Sequence, residues 1–181
     1  MGVNRRFTTT HVRKALAWSA CHDLRKIWTS NISNKMKVNL FCATVEYVLT
    51  YGSDTWTLSK SLEKQLDGCY TRMLRMALNI KGKIRNEDLY QELPQISSKV
   101  RSKRMKLAGH CHRHKEEIAH HLVFWEPKKG RPGRGRPTVN FIDNLKADTG
   151  LTEIAEIKSL MEDQKLWQKL SSLGRAKARL R

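Results

Sequence analysis

Apolar residues recur at steps of three and four along most of this chain, the spacing of helices that bury one face. Beyond Thr10, whose hydroxyl suits a helix N-cap, the positions run Val12, Leu16, Ala20, Leu24, Ile27 and Trp28. Ser33 is placed to cap a second helix, with Met36, Leu40, Ala43, Tyr47 and Val48 on one face. Gly52 ends it, because glycine accepts the left-handed backbone that closes a helix. Thr55 to Leu58 reads as a short extended link, or a strand. Ser59 or Ser61 then opens a long helix with Leu62, Leu66, Cys69, Tyr70, Met73 and Ala77 inward, broken between Asn79 and Gly82. Asn86 caps a short helix with Glu87 and Asp88 in its first turn, where the dipole favours acids, and Pro94 closes it. Ser97 or Ser98 starts a helix that reaches about His114. Thr138 starts another that Gly150 ends, Thr152 caps the next, and a last helix carries Leu166, Trp167 and Leu170. The predicted class is all-α.

One stretch breaks this rhythm. Residues 128–137 read KKGRPGRGRP, with five cations, three glycines, two prolines and no acid. Each proline removes a backbone donor and each glycine adds entropy, so the run suits neither a helix nor an inner strand. The expected organisation is a disordered N-terminus over 1–9, a helical bundle over 10–126, a basic linker over 127–137, a small helical unit over 138–172 and a basic tail over 173–181.

Composition sharpens the picture. At 39% hydrophobic over 181 residues, the chain can bury a core. It carries 35 Lys and Arg against 17 Asp and Glu, a formal charge of +18, with a pI near 10.1. That balance points to a polyanionic partner. A membrane fits poorly: the apolar stretch LFCATVEYVLTY contains Glu46 and falls short of the ~20 residues that span a bilayer. The start MGVNRRFTTT has no apolar signal core and no Ser or Thr at position 6 for myristoylation, so the expected setting is intracellular, nuclear or cytoplasmic. Cys21, Cys42, Cys69 and Cys111 form no CxxC pair and read as small core hydrophobes.

The charge is concentrated. Residues 97–137 hold 12 cations and 3 anions, half of the whole excess in under a quarter of the chain. On the helix that starts near Ser97, Lys99, Lys103, Lys106, His110 and Arg113 share one side, at steps of four, three, four and three. Val100, Arg104, Leu107, Ala108 and Cys111 share the other. At about 1.5 Å per residue the basic row covers roughly 21 Å, enough to follow several phosphates of a strand. No acid interleaves it as an i,i+4 partner. These five residues, with Lys128, Lys129, Arg131, Arg134 and Arg136 of the linker, are the expected contacts to RNA or DNA.

Other chemistry is weaker. GHCHRHKEEIAHH (109–121) holds five histidines and Cys111, but His110, His112 and His114 alternate and would point in different directions on a helix. No metal site and no cofactor are expected. Asp143, Asp148, Glu162 and Asp163 lack the strand pattern of a nuclease sheet and read as caps or solvent-facing positions. Of the five tryptophans, Trp18, Trp28, Trp56 and Trp167 sit at core spacing, whereas Trp125 is open to stacking on a base.

Three segments in succession resemble a known family: YGSDTWTLSKSLEKQLDGCYTRMLRMALN (51–79), IRNEDLYQELPQISSKVRSKRMKLAGHCHR (84–113) and GRPTVNFIDNLKADTGL (135–151). Their order, with Tyr-Gly-x-x-x-Trp, Arg-Met-Leu-Arg, Arg-Asn-Glu-Asp, Gly-His-x-x-Arg and Gly-Arg-Pro before an aromatic and Asp, is similar to the region after the catalytic palm in non-LTR retrotransposon reverse transcriptases. The resemblance covers roughly residues 10–170. It implies a helical thumb over 10–126 and a C-terminal segment that grips nucleic acid. It also implies that this piece is not an enzyme by itself. The palm of such proteins carries an aromatic-x-Asp-Asp hairpin, and this chain holds no Asp-Asp pair to position two metals, nor the endonuclease. Arg134-Gly135-Arg136-Pro137 is also similar to the core of an AT-hook, although Gly133 replaces its usual first proline. A domesticated DNA-binding protein with such a hook and a zinc site is the alternative reading, and a protein-interaction module a third. No small-molecule substrate is expected.

Overall fold

The computed structural model describes residues 5–90, 93–125 and 139–176, and the side chains of 9–90, 93–125 and 139–172. Every regular element among them is helical, as the periodicity predicts. In order these are α1 (Arg5–Asp23), α2 (Arg25–Trp28), α3 (Asn34–Phe41), a π-helical segment (Cys42–Glu46), α4 (Tyr47–Leu49), a 3-10 turn (Ser53–Thr55), α5 (Lys60–Ala77), α6 (Asn86–Tyr90), α7 (Ile96–Arg113), α8 (Ile118–Val123), α9 (Phe141–Thr149), α10 (Ile154–Glu162) and α11 (Gln164–Ala176). The stretch Trp56–Ser59 is neither strand nor helix.

Contacts divide the chain into two units: residues up to Gly52 together with Lys60–Ser97, and Ser53–Ser59 together with residues from Ser98 onward. The division falls near the start of α7; residues 126–138, which include the basic run 127–137, lie outside the described residues.

In the first unit, α5 is the axis. Leu66, Tyr70, Met73, Leu74 and Ala77 are buried along one face. Against them sit Ala17 and Cys21 of α1, Trp28 of α2, and Phe41, Val45 and Leu49. Phe41 meets Trp28 and Tyr70 edge-on, with centroids 6.5 and 5.4 Å apart, an arrangement the ring quadrupoles favour. The polar atoms of this core are satisfied. Trp28 Nε1 donates to Cys21 O at 2.8 Å, Lys37 Nζ to Trp28 O at 2.7 Å, and Tyr70 OH to Glu46 Oε2 at 2.7 Å. Burial, with Glu46 beside it, pushes the Tyr70 hydroxyl well above the usual phenol range. Asp67 accepts from both the backbone N and the hydroxyl of Ser97, at 2.9 and 2.8 Å, which satisfies a first-turn amide of α7.

Two faces differ from the expected ones. On α1 the helix begins at Arg5, so Thr10 is interior and buried, and residues 5–9 are helical where a disordered end was expected. Its buried positions are the small Ala17 and Cys21, while Val12 and Leu16 are 54% and 47% exposed. Small residues let α1 lie close to α5, where Cys21 Sγ reaches Met73 O at 3.8 Å. Over 34–49 the buried row is Lys37, Phe41, Val45 and Leu49, in steps of four, whereas Met36 and Tyr47 are 61% and 63% exposed. Steps of four drift around an ordinary helix; the wider π-helical turn at Cys42–Glu46 holds the row in line.

The second unit packs Met105 and Ala108 of α7 with Leu145 of α9, Ile157 and Met161 of α10, and Trp167 of α11. Its caps are local. Asn140 precedes α9, its backbone N donating to Asp143 Oδ2 at 2.8 Å, and Gly150 closes that helix at φ 77°; Thr138, the expected start, lies outside the described residues. Glu153, not Thr152, stands before α10, and Asp163 Oδ1 accepts from the N–H groups of Lys165 and Leu166 at the start of α11.

Candidate nucleic-acid interface

Helix α7 carries the predicted row, and its opposite face is fixed by packing. Val100, Met105, Ala108 and Cys111 are fully or nearly fully buried. Arg104 lies on that same face at 1% exposure, and a buried guanidinium must be fully paired. It is: Nε donates to Asp148 Oδ2 at 2.8 Å, Nη2 lies 2.6 Å from the same oxygen, and Nη1 reaches Trp56 O at 2.8 Å and Asn144 Oδ1 at 3.0 Å. Asn144 Oδ1 also accepts from Leu58 N at 2.8 Å. This network orients α7 within its unit. Asp148 is thus a buried partner of an arginine, not the solvent-facing acid expected from sequence.

With that face held inward, Lys103, Lys106, His110 and Arg113 are exposed and Lys99 half-buried, all on the outer side of α7. The rings of His110 and His114 lie 4.5 Å apart. Arg113 is tethered, with Nη1 donating to Met161 O at 3.3 Å. The linker cations Lys128, Lys129, Arg131, Arg134 and Arg136 lie outside the described residues.

A feature that the periodicity did not reveal lies beside this row. Ser102, Lys106 and Arg113 of α7 and Trp167, Gln168, Ser171 and Ser172 of α11 line a groove of about 480 Å³. Gly109 sets its depth. A Cβ there would overlap the Trp167 indole, so only glycine lets α11 come this close to α7. Trp167 Nε1 donates to Met105 O at 2.7 Å, fixing the ring as the floor. The available sequence signal was the alternation within LWQKLSS: Trp167 and Ser171 share a helix face, and both are buried.

The histidine-rich stretch does not converge. His112 is buried at 4% exposure, with neither ring nitrogen hydrogen-bonded, between His120 and Phe124, whose ring centroids lie 6.1 and 5.8 Å away. Burial, reinforced by Lys115, holds its pKa below the usual imidazole value against the opposing pull of Glu162, 3.8 Å away. His120 Nδ1 is occupied by Cys111 O at 2.9 Å. Burial raises the Cys111 thiol above its ordinary value. Among the described residues no three His, Cys, Asp or Glu side chains are grouped to hold a metal ion. No described helix is long and apolar enough to cross a membrane. Trp28, Trp56 and Trp167 are core residues, whereas Trp125 is 67% exposed.

No family model and no solved structure matches the chain. A curated Caenorhabditis elegans protein, the uncharacterized transposon-derived protein F52C9.6, is 29% identical over 171 residues, covering 87% of this chain and 61% of that protein. The chain thus spans less than two thirds of the relative it matches, and it is similar to a protein described as transposon-derived.

Proposed function

We propose that this chain is the nucleic-acid-binding, non-catalytic C-terminal piece of a non-LTR retrotransposon reverse transcriptase, holding RNA or DNA through phosphate contacts. The observation that carries the reading is the row on α7. Its five members face outward from a helix whose other side is locked by the Arg104 network and the Met105–Trp167 core. A rigid helix that presents cations at three- and four-residue steps meets a polyanion without losing further order. The likeness to a transposon-derived protein supports the same origin. In this reading the linker cations from Lys128 to Arg136 extend the contact to neighbouring phosphates, and the reaction of the parent protein is carried by carboxylates that this sequence lacks.

The test is binding of the purified chain to an RNA oligonucleotide and a DNA duplex across salt. Micromolar binding at about 50 mM salt that weakens steeply by about 200 mM is expected. Absence of binding to either nucleic acid at the lower salt would refute the reading.

A further inference from the structure

The groove between α7 and α11 shares two cations with the row and adds polar walls of its own. Its two cations, Lys106 and Arg113, stand on α7 about 10.5 Å apart along the axis at about 1.5 Å per residue. Arg113 is already held by Met161 O, so its guanidinium comes to a ligand with part of its freedom gone. Between them the walls are polar. Ser102 is only 4% exposed yet lines the cavity, and Gln168, Ser171 and Ser172 face it from α11. The hydroxyls of Ser171 and Ser172 donate to Gln168 O and Lys169 O at 2.8 and 2.7 Å, leaving oxygen lone pairs as acceptors. Among the described residues, no acid lines the cavity.

This lining selects a class of ligand. Two cations with hydroxyls and an amide suit an anion that carries hydroxyl or ether oxygens, which describes a sugar–phosphate. At about 480 Å³ the cavity is within the range that encloses a small ligand and is far too small for a duplex. The floor excludes a base-stacking role. Trp167 is 2% exposed and its N–H is committed to Met105 O, so it offers no ring face to a base.

We propose that this groove seats one sugar–phosphate unit of a single-stranded nucleic acid, independently of its base. Lys106 and Arg113 take the phosphate, the Gln168 amide donates to a sugar oxygen, and the Ser172 oxygen accepts from a sugar hydroxyl where one is present. The proposal rests on the nucleic-acid reading above and adds a second, single-strand-specific contact to the row.

The experiment measures binding of the full chain to fluorescent oligouridylate, oligothymidylate and a short duplex. Three proteins are compared: the wild type, Ser172→Trp, which fills the groove from an exposed position, and Lys99→Ala/Lys103→Ala, which touches only the row. Helicity is checked by circular dichroism, and Gln168→Ala serves as a second, smaller perturbation. Losing charge-assisted and neutral hydrogen bonds to one unit predicts that Ser172→Trp weakens binding to a single strand about tenfold, with a salt slope shallower by about 0.7, and weakens binding to the duplex less than twofold, with an unchanged slope. Gln168→Ala should cost about threefold on the same single strand. Weakening of both oligonucleotides supports a seat for the shared phosphate and sugar ring. Weakening of oligouridylate alone supports it with the ribose 2′-hydroxyl as the contact. If Ser172→Trp binds single strands as tightly as the wild type while Lys99→Ala/Lys103→Ala does not, the groove proposal fails and the row stands. If the wild type binds none of the three probes, both fail.

Discussion

Replacing Arg104 with methionine removes a buried cation while nearly preserving its length. The structure sets the size of the effect. Asp148, whose side chain is 5% exposed, loses contacts at 2.8 and 2.6 Å, while Arg101 lies 3.5 Å from it on a side chain that is 42% exposed. Trp56 O and Asn144 Oδ1 lose the same donor. Breaking a buried pair from one side costs about 3–5 kcal/mol, because the abandoned charge stays out of water. Replacing both partners by apolar residues costs much less, so Arg104→Met with Asp148→Leu should be more stable than Arg104→Met alone. Urea denaturation followed by circular dichroism reads the loss, and amide exchange should place the opening in α7 and α9. A loss under about 1 kcal/mol for the single variant, or additive losses in the pair, would refute the idea that this network orients α7.

Three further outcomes follow from particular contacts. Gly109→Ala forces the Trp167 indole to shift and should destabilise the chain by about 1–3 kcal/mol, as overpacking does; an unchanged denaturation midpoint would remove the close approach of α7 and α11. His112 has a folded pKa below its unfolded value near 6.5, so the unfolded chain binds the extra proton. Its contribution to stability is complete above that value and is lost as pH falls through the lower folded pKa. His112→Phe should therefore flatten the decline in stability between neutral and mildly acidic pH, and a decline as steep as that of the wild type would rule out His112 as its source. Replacing Arg134 and Arg136 by Ala should weaken binding to A/T-rich and G/C-rich duplexes by similar factors, as phosphate contacts require; a loss confined to the A/T-rich duplex would make the stretch a minor-groove reader.

The helices that periodicity located best are those whose buried face is built of large apolar residues. On α5, Leu66, Tyr70, Met73 and Ala77 are both the apolar row and the core. Where small residues do the packing, the apolar row misleads: Ala17 and Cys21 bury against α5 while the bulkier Val12 and Leu16 stay outside. The π-helical turn at Cys42–Glu46 has no period to betray it, and it keeps Val45 and Leu49 in line with Lys37 and Phe41. The outer row of α7 was legible because five basic side chains repeat at helical steps. The residues that hold it in place were not. Arg104 finds Asp148 44 positions away, and Gly109 admits Trp167 from another helix, pairings that no local pattern encodes. The groove shared by α7 and α11 stayed hidden for the same reason.

The central question is whether the row on α7 neutralises phosphates. The direct measurement is the dependence of duplex-binding affinity on salt for the wild type and for Lys99→Ala/Lys103→Ala/Lys106→Ala, with helicity verified unchanged. Each neutralised phosphate contributes about −0.9 to the slope of log affinity against log salt, so the triple variant should be shallower by up to about 2.7. A slope equal to that of the wild type would mean that the row is solvated surface, and that α7 does not hold nucleic acid.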